Sequence, residues 1–187
     1  MTGSGARGGF TLVELLVTLA VAAVLLTLAV PSFGTLIRDN RLAASANAFA
    51  TAVALARSEA LKRAAVVTVC KSADGQSCTG AGGWEQGWLV FVDDDGDGRR
   101  QGGETLLAVQ GALKGSVTLR GQPAVADYIS YGAAGATRTA AGGVQAGLLV
   151  LCDDRGFGGQ ARALVLSPSG RLSVMDAAAA GAASCTP

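Results

Sequence analysis

The feature that most constrains this chain is an apolar run near its amino terminus. From Phe10 to Phe33, 18 of 24 residues are apolar, and Leu15 to Val30 holds no charge, no glycine and no proline. A run of about 20 apolar residues is long enough to cross a bilayer core as a helix, which satisfies its own backbone polar groups. A cleaved secretory signal peptide or a plain single-pass anchor has the same hydrophobicity. Glu14 argues against the signal peptide, because it places an acid at the mouth of the run, where basic residues are expected. An acid in a membrane segment is costly and needs a reason to be there.

Composition narrows the function classes. The 187 residues carry 15 Lys+Arg against 14 Asp+Glu, a net charge of +1, and their mean hydropathy is +0.40. A near-neutral chain does not bind nucleic acid or a membrane surface through bulk charge. There is no histidine at all, which excludes Ser-His-Asp and Cys-His catalysis, histidine zinc sites and histidine-ligated haem together. No paired carboxylates, Ser-Lys pair or activated cysteine stands out as a replacement, so the chain is expected not to be an enzyme.

The segment Gly8-Gly9-Phe10-Thr11-Leu12-Val13-Glu14-Leu15-Leu16 closely resembles the processing site of type IV prepilins and pseudopilins. That resemblance implies cleavage between Gly9 and Phe10 by the prepilin peptidase, on the cytoplasmic side. A leader of residues 1–9 is lost and the new terminal Phe10 is N-methylated. Glu14, then the fifth residue, pairs with the terminal amine of a neighbouring subunit as it enters a filament. The physics agrees: a carboxylate in a first helical turn is favoured by the helix dipole, and a cationic partner offsets its desolvation. Pro31 falls where pilins often carry a helix-bending proline. Arg7 is the leader's one base, but Arg38 and Arg41 on the other flank make charge asymmetry a weak guide to orientation.

Helical periodicity continues past Pro31. Leu42, Ala46, Phe49, Val53, Ala56 and Ala60 fall at spacings of four and three and form one apolar face. A helix is therefore expected over 10–63, with its transmembrane segment at 10–33. From residue 64 to 187 the pattern is that of a β-rich head. Strand-like runs lie at Val66–Cys70, Trp88–Val92, Thr105–Val109, Ser116–Leu119, Tyr128–Tyr131, Leu148–Cys152, Ala163–Leu166 and Arg171–Val174, separated by Gly, Asp and Ser clusters. Gly135 to Gly147 reads as a mobile loop, and Ala177 to Ala180 as a tail or a short helical turn.

The order of Ala56-Arg57-Ser58-Glu59-Ala60, Val69-Cys70, Gly87-Trp88-Leu89-Val90-Phe91-Val92-Asp93, Gly103-Glu104 and Ser169-Gly170-Arg171 resembles the GspH/FimT family of minor pilins and pseudopilins. The resemblance implies an α+β, type IV pilin-like fold, a long N-terminal helix packed against an antiparallel β-sheet head. It implies a single-pass inner-membrane protein with a periplasmic C-terminal head. Its partners would be other pilin or pseudopilin subunits, the prepilin peptidase and the inner-membrane assembly platform. The function implied is priming or joining a filament in FimT-like pilus biogenesis. The alternatives are a GspH-type pseudopilin of type II secretion and a DNA-binding minor pilin for DNA uptake.

Three further groups of residues invite a function. Cys70, Cys78, Cys152 and Cys185 all lie in the head, and an even number facing an oxidising periplasm favours two disulfides over free thiols. Of the three connectivities, Cys70–Cys78 with Cys152–Cys185 is favoured, because a loose Ala/Gly tail gains most from a tether. Asp93-Asp94-Asp95-Gly96-Asp97-Gly98-Arg99-Arg100-Gln101-Gly102-Gly103-Glu104 fits a calcium-loop pattern, with Asp93, Asp95, Asp97 and a closing Glu104 as ligands. Against it stand strand-like flanks, two arginines inside the loop and Gln101 at the ninth position, and the alternative is a solvated acidic hairpin loop. For DNA, the family's basic Gly-Arg-x-Arg pattern reads here as Gly170-Arg171-Leu172-Ser173. That leaves Arg171, with Arg162 and Arg155, as a thin patch beside Asp153 and Asp154.

Overall fold

The computed structural model describes residues 9–187, excluding the side chains of residues 28–32. The leader before Gly9, Arg7 within it, and the side chain of Pro31 lie outside the described residues. The chain divides into two compact units, one up to Arg38 and one from Asp39 to Pro187.

Helix α1 spans Leu12–Arg63. It begins where Thr11 accepts a hydrogen bond through its Oγ1 from the Glu14 N–H at 3.2 Å, the N-cap arrangement that satisfies one of the free N–H groups of a first turn. It ends with Lys62 and Arg63 in the last turn, both paired to Glu59. Ala64 then turns into the left-handed region at φ 51°, and the Ala65 N–H reaches back to the Ala60 carbonyl at 3.3 Å. This is the glycine-type helix stop built with alanine. In the first unit every described side chain from Gly9 to Thr27 is exposed. Among the described residues no helix is long and apolar enough to cross a membrane. The segment expected to do so, 10–33, contains the undescribed side chains of 28–32.

The second unit carries nine strands: β1 Val67–Lys71, β2 Trp88–Val92, β3 Leu106–Gln110, β4 Thr118–Gly121, β5 Tyr128–Tyr131, β6 Thr137–Arg138, β7 Gly147–Cys152, β8 Arg162–Leu166 and β9 Leu172–Asp176. They form two antiparallel sheets, ordered β3-β2-β1-β5-β6 and β4-β7-β8-β9. The inward residues of both sheets pack on the part of α1 that belongs to this unit. Leu42, Ala46, Phe49, Val53, Ala56 and Ala60 are all buried there, the face that the spacing of four and three predicts. Phe49 sits at the centre, edge-on to Trp84 and Trp88 with ring centroids 5.0 and 5.3 Å away.

Central strands are buried on both sides, which is why β2 and Leu148–Cys152 of β7 read as unbroken apolar runs, while β1, equally buried, includes Thr68 and Lys71. On β7, Leu149 and Leu151 face the helix while Leu148, Val150 and Cys152 face a second cluster. The tail covers that second face: Ala177, Ala180, Ala182 and Cys185 lie on it, and Cys152–Cys185 ties it down. The tail opens with the short helical turn that is one of the two readings of its sequence: the Ala180 N–H reaches Asp176 O at 3.1 Å, and Asp176 Oδ1 caps it by accepting from the N–H groups of Ala178 and Ala179. The other disulfide, Cys70–Cys78, folds a loop over the outer residues Leu89 and Phe91 of the five-stranded sheet.

The 135–147 segment differs from the mobile loop expected. It holds β6 and two buried polar side chains, Thr137 and Gln145. Gln145 accepts from Ser130 N–H and donates to the carbonyls of Ala124 and Tyr128. A full set of partners is what makes burial of an amide affordable.

Candidate functional site

Two places carry chemistry: the start of α1 and the acidic loop after β2. At the first, Phe10 is 86% exposed and the apolar residues behind it are exposed as well. The only polar side chains in the described run after Glu14, Thr18 and Thr27, donate to their own helix at Leu15 O and Val24 O. A helix whose hydroxyls are satisfied internally can face an apolar medium without orphaned donors. Among the described residues the Glu14 carboxylate has no hydrogen-bond or ion-pair partner. Its backbone N–H, by contrast, is capped by Thr11. The Thr-x-x-Glu spacing is the capping-box signature and signals that cap, which the dipole argument alone overlooks.

The acidic loop is built on the end of β2. Asp93 is 1% exposed. Its Oδ2 accepts from the Thr68 hydroxyl at 2.6 Å and from the Gly98 N–H at 3.0 Å. The Thr68 oxygen lies 2.6 Å from Ser130 Oγ, so a Thr68 proton given to Asp93 leaves Ser130 as donor to Thr68. Asp95 Oδ1 accepts from Asp97 N–H, and Asp97 accepts from Arg99 N–H and from the Gln101 side-chain amide. Gly96 and Gly98 have φ of 71° and 81°. A Cβ on Gly98 would come within 2.9 Å of the Tyr128 ring, so the loop lies directly on β5.

Of the four ligands expected for calcium, the structure gathers three: one oxygen each of Asp93, Asp95 and Asp97 lie within 4.8 Å of one another. Glu104 is the correction. Its Oε1 accepts from Asp94 N–H at 3.0 Å and its Oε2 from Gln101 N–H at 2.7 Å, so it closes the loop through the backbone instead of closing an ion's shell. Of the two loop arginines, Arg100 turns away from the acidic cluster. Arg100 donates to Gln76 O and Glu104 O, and its N–H meets Cys78 Sγ at 3.2 Å. It therefore stitches the acidic loop to the disulfide loop. Among the described residues no ion pair reaches Asp93, Asp95 or Asp97.

The basic residues considered for DNA do not converge. Arg162 pairs in register with Asp176 at one end of the β8–β9 hairpin, and Leu166 pairs with Leu172 at the other, next to Arg171. Arg162 donates to Gly159 O and lies 3.7 Å from an Asp176 oxygen, and Arg155 is held by Asp39 and Asp153. The turn bearing Arg171 is pinned: Arg57 donates to Ser169 O at 2.9 Å and the Tyr131 hydroxyl to Gly170 O at 3.1 Å. A Cβ on Gly170, at φ 83°, would stand 2.4 Å from Gly135 O. The structure also holds a buried lysine. Lys71 lies 3% exposed with its ammonium on Asp127 at 2.8 Å and on Gly82 O at 3.0 Å. The strand pattern of Val-Thr-Val-Cys-Lys gives no sign of it.

Comparison with known proteins fits this geometry. Residues 5–30 match the prokaryotic N-terminal methylation motif. The Pilin-like protein PilA1 of Thermus thermophilus is 38% identical over 104 residues, 54% of this chain and 58% of that protein. The chain thus spans little more than half the length of that relative. The crystal structure of the type IV minor pilin FimU of Pseudomonas aeruginosa (strain PAO1) superposes with a TM-score of 0.55 at 19% identity, covering 74% of this chain and 91% of FimU. A second crystal form gives 0.52 at 18% identity over 72% and 93%. At that identity the likeness is one of fold: long helix and antiparallel head. Residues 45–170 match the model of the Type II transport protein GspH, so the chain belongs to the GspH family and carries the N-terminal methylation motif ahead of that match.

Proposed function

We propose that this chain is cleaved between Gly9 and Phe10 by a prepilin peptidase, methylated on Phe10, and inserted as a single pass in the inner membrane with its head in the periplasm. From there it joins or primes a pilus-like filament through α1, recruited by an inner-membrane assembly platform. It works by packing and carries out no catalysis. The observation that supports this reading is the methylation motif leading directly into a helix of exposed apolar side chains, in which Glu14 has no side-chain partner among the described residues. Each large apolar side chain there gains about 1.5–3 kcal/mol on leaving water, so lipid or neighbouring helices are its natural surroundings. The terminal amine of a neighbouring subunit supplies the cation that offsets the burial of Glu14.

FimT-like pilus biogenesis is the first reading, since the head has the fold of a type IV minor pilin. A GspH-type role in type II secretion is the second, favoured by the family model. DNA uptake has less support, because Arg162 and Arg171 stand at opposite ends of one hairpin. The test is Glu14→Val. Mass spectrometry should find it cut and methylated at Phe10, while its amount in sheared or membrane-extracted filaments falls at least tenfold. Normal incorporation would sink the role given to Glu14. Deleting the gene separates the two systems: lost piliation with intact secretion supports the first reading, and the reverse outcome the second.

A further inference from the structure

Among the described residues, the acidic loop holds a buried carboxylate oxygen without a hydrogen-bond partner. Asp93 Oδ1 is buried and has neither donor nor acceptor within hydrogen-bond distance, while its sister Oδ2 already takes the Thr68 hydroxyl and the Gly98 N–H. Neither protonation state relieves this. An ionised carboxylate leaves Oδ1 as a buried acceptor without a donor, and a proton placed on Oδ1 finds no acceptor. Burying an unserved carboxylate oxygen is expensive, and here Asp95 and Asp97 bring two more carboxylates within 4.8 Å. We propose that Asp93, Asp95 and Asp97 hold a calcium ion, with Asp93 Oδ1 as its buried ligand.

The ligand chemistry selects the ion. Three carboxylates with no histidine or thiolate make a hard, all-oxygen site, which excludes zinc and copper preferences. Calcium–oxygen distances of about 2.3–2.6 Å let one ion bridge oxygens that far apart, whereas magnesium, at about 2.0–2.1 Å, requires a tighter octahedron. A cation beside Asp93 Oδ1 removes the cost of burying that oxygen without a partner. With Glu104 committed to the backbone, the protein supplies three side chains and water completes the shell. The affinity should fall in the weak range of extracellular calcium modules, about 0.1–1 mM. The inference is independent of the assembly role.

The test is calorimetric titration of the processed full-length chain in detergent with calcium chloride at fixed ionic strength, alongside magnesium chloride. A one-site calcium isotherm is expected, with magnesium at least tenfold weaker. At ten times the dissociation constant the unfolding temperature of the head should rise by about 3–6 °C. The variant Asp95→Asn/Asp97→Asn changes only exposed side chains, so its fold is checked by circular dichroism and its calcium affinity should fall at least tenfold. If the pair does not fold, Asp95→Asn alone is read the same way. A flat titration to 10 mM, an unchanged isotherm in the variant, or equal magnesium affinity would each overturn the assignment.

Discussion

Phe49 is where the head's stability concentrates. It is fully buried, and its ring meets Trp84 and Trp88 edge-on at 5.0 and 5.3 Å with interplanar angles of 81° and 82°. Truncating a buried phenylalanine to alanine costs about 3–5 kcal/mol, less where neighbours collapse into the hole. Collapse is hindered here. Trp84 is anchored by its indole N–H on Val125 O at 3.0 Å, and Trp88 is paired in β2 with Lys71 and Gln110. Two edge contacts are lost as well, each worth about 0.5–1.5 kcal/mol. Phe49→Ala should therefore lie near the top of the range, about 4–5 kcal/mol, against a total stability of about 5–15 kcal/mol for a domain. Urea unfolding of the processed chain in detergent, followed by tryptophan emission, reads this as a shift in midpoint at constant slope. Phe49→Leu, which refills part of the space, should cost about half as much. Leu36→Ala, at an exposed position, should change stability by less than about 0.5 kcal/mol. A Phe49→Ala loss below about 1 kcal/mol, or one equal to that of Leu36→Ala, would refute the claim that the helix face organises this core.

Two further outcomes follow from the tethers and from the buried phenol. Replacing Cys152 and Cys185 by serine opens a link across 33 residues and should cost about 4 kcal/mol, against about 2.5 kcal/mol for the 8-residue link of Cys70 and Cys78. Urea midpoints rank the two, and carboxypeptidase should release the residues after Asp176 only in the first variant. Tyr131 is buried, and desolvation raises its pKa from 10.0 to about 12. Between pH 10 and 12 the unfolded chain gives up this proton while the folded chain keeps it, so stability falls as pH rises through that window. Tyr131→Phe should remove that part of the slope. At pH 7 it should cost about 1 kcal/mol by leaving Gly170 O without its donor, and absorbance at 295 nm should lose its latest phenolate step.

What the sequence made legible was periodic or apolar. The helix face from Leu42 to Ala60 and the eight longer strands each advertise themselves through repeated side chains. β6 does not: it is two residues long, sits among glycines, and exists because Thr137 and Gln145 find buried partners that only the folded chain brings near. Lys71 is hidden for a related reason. A charged residue closing a β run reads as a solvated end, whereas here Asp127 and two loop carbonyls collect around it. In the acidic loop, spacing alone singled out Asp93, Asp95 and Asp97, whose carboxylates the fold brings within 4.8 Å of one another. It misjudged Glu104, since position in a motif does not say whether a carboxylate turns to an ion or to two backbone N–H groups.

The pinned turn at Ser167–Arg171 has a consequence for how such heads diversify. Its carbonyls are held by donors from α1 and β5, and its glycine is fixed by a neighbouring backbone. None of these restraints involves the Arg171 side chain, which projects from a mount that the rest of the head maintains. Exchange of that side chain therefore alters the surface of the turn while its position stays fixed. A head built this way can change the chemistry of its tip at one residue, without a new loop and without a cost to the core.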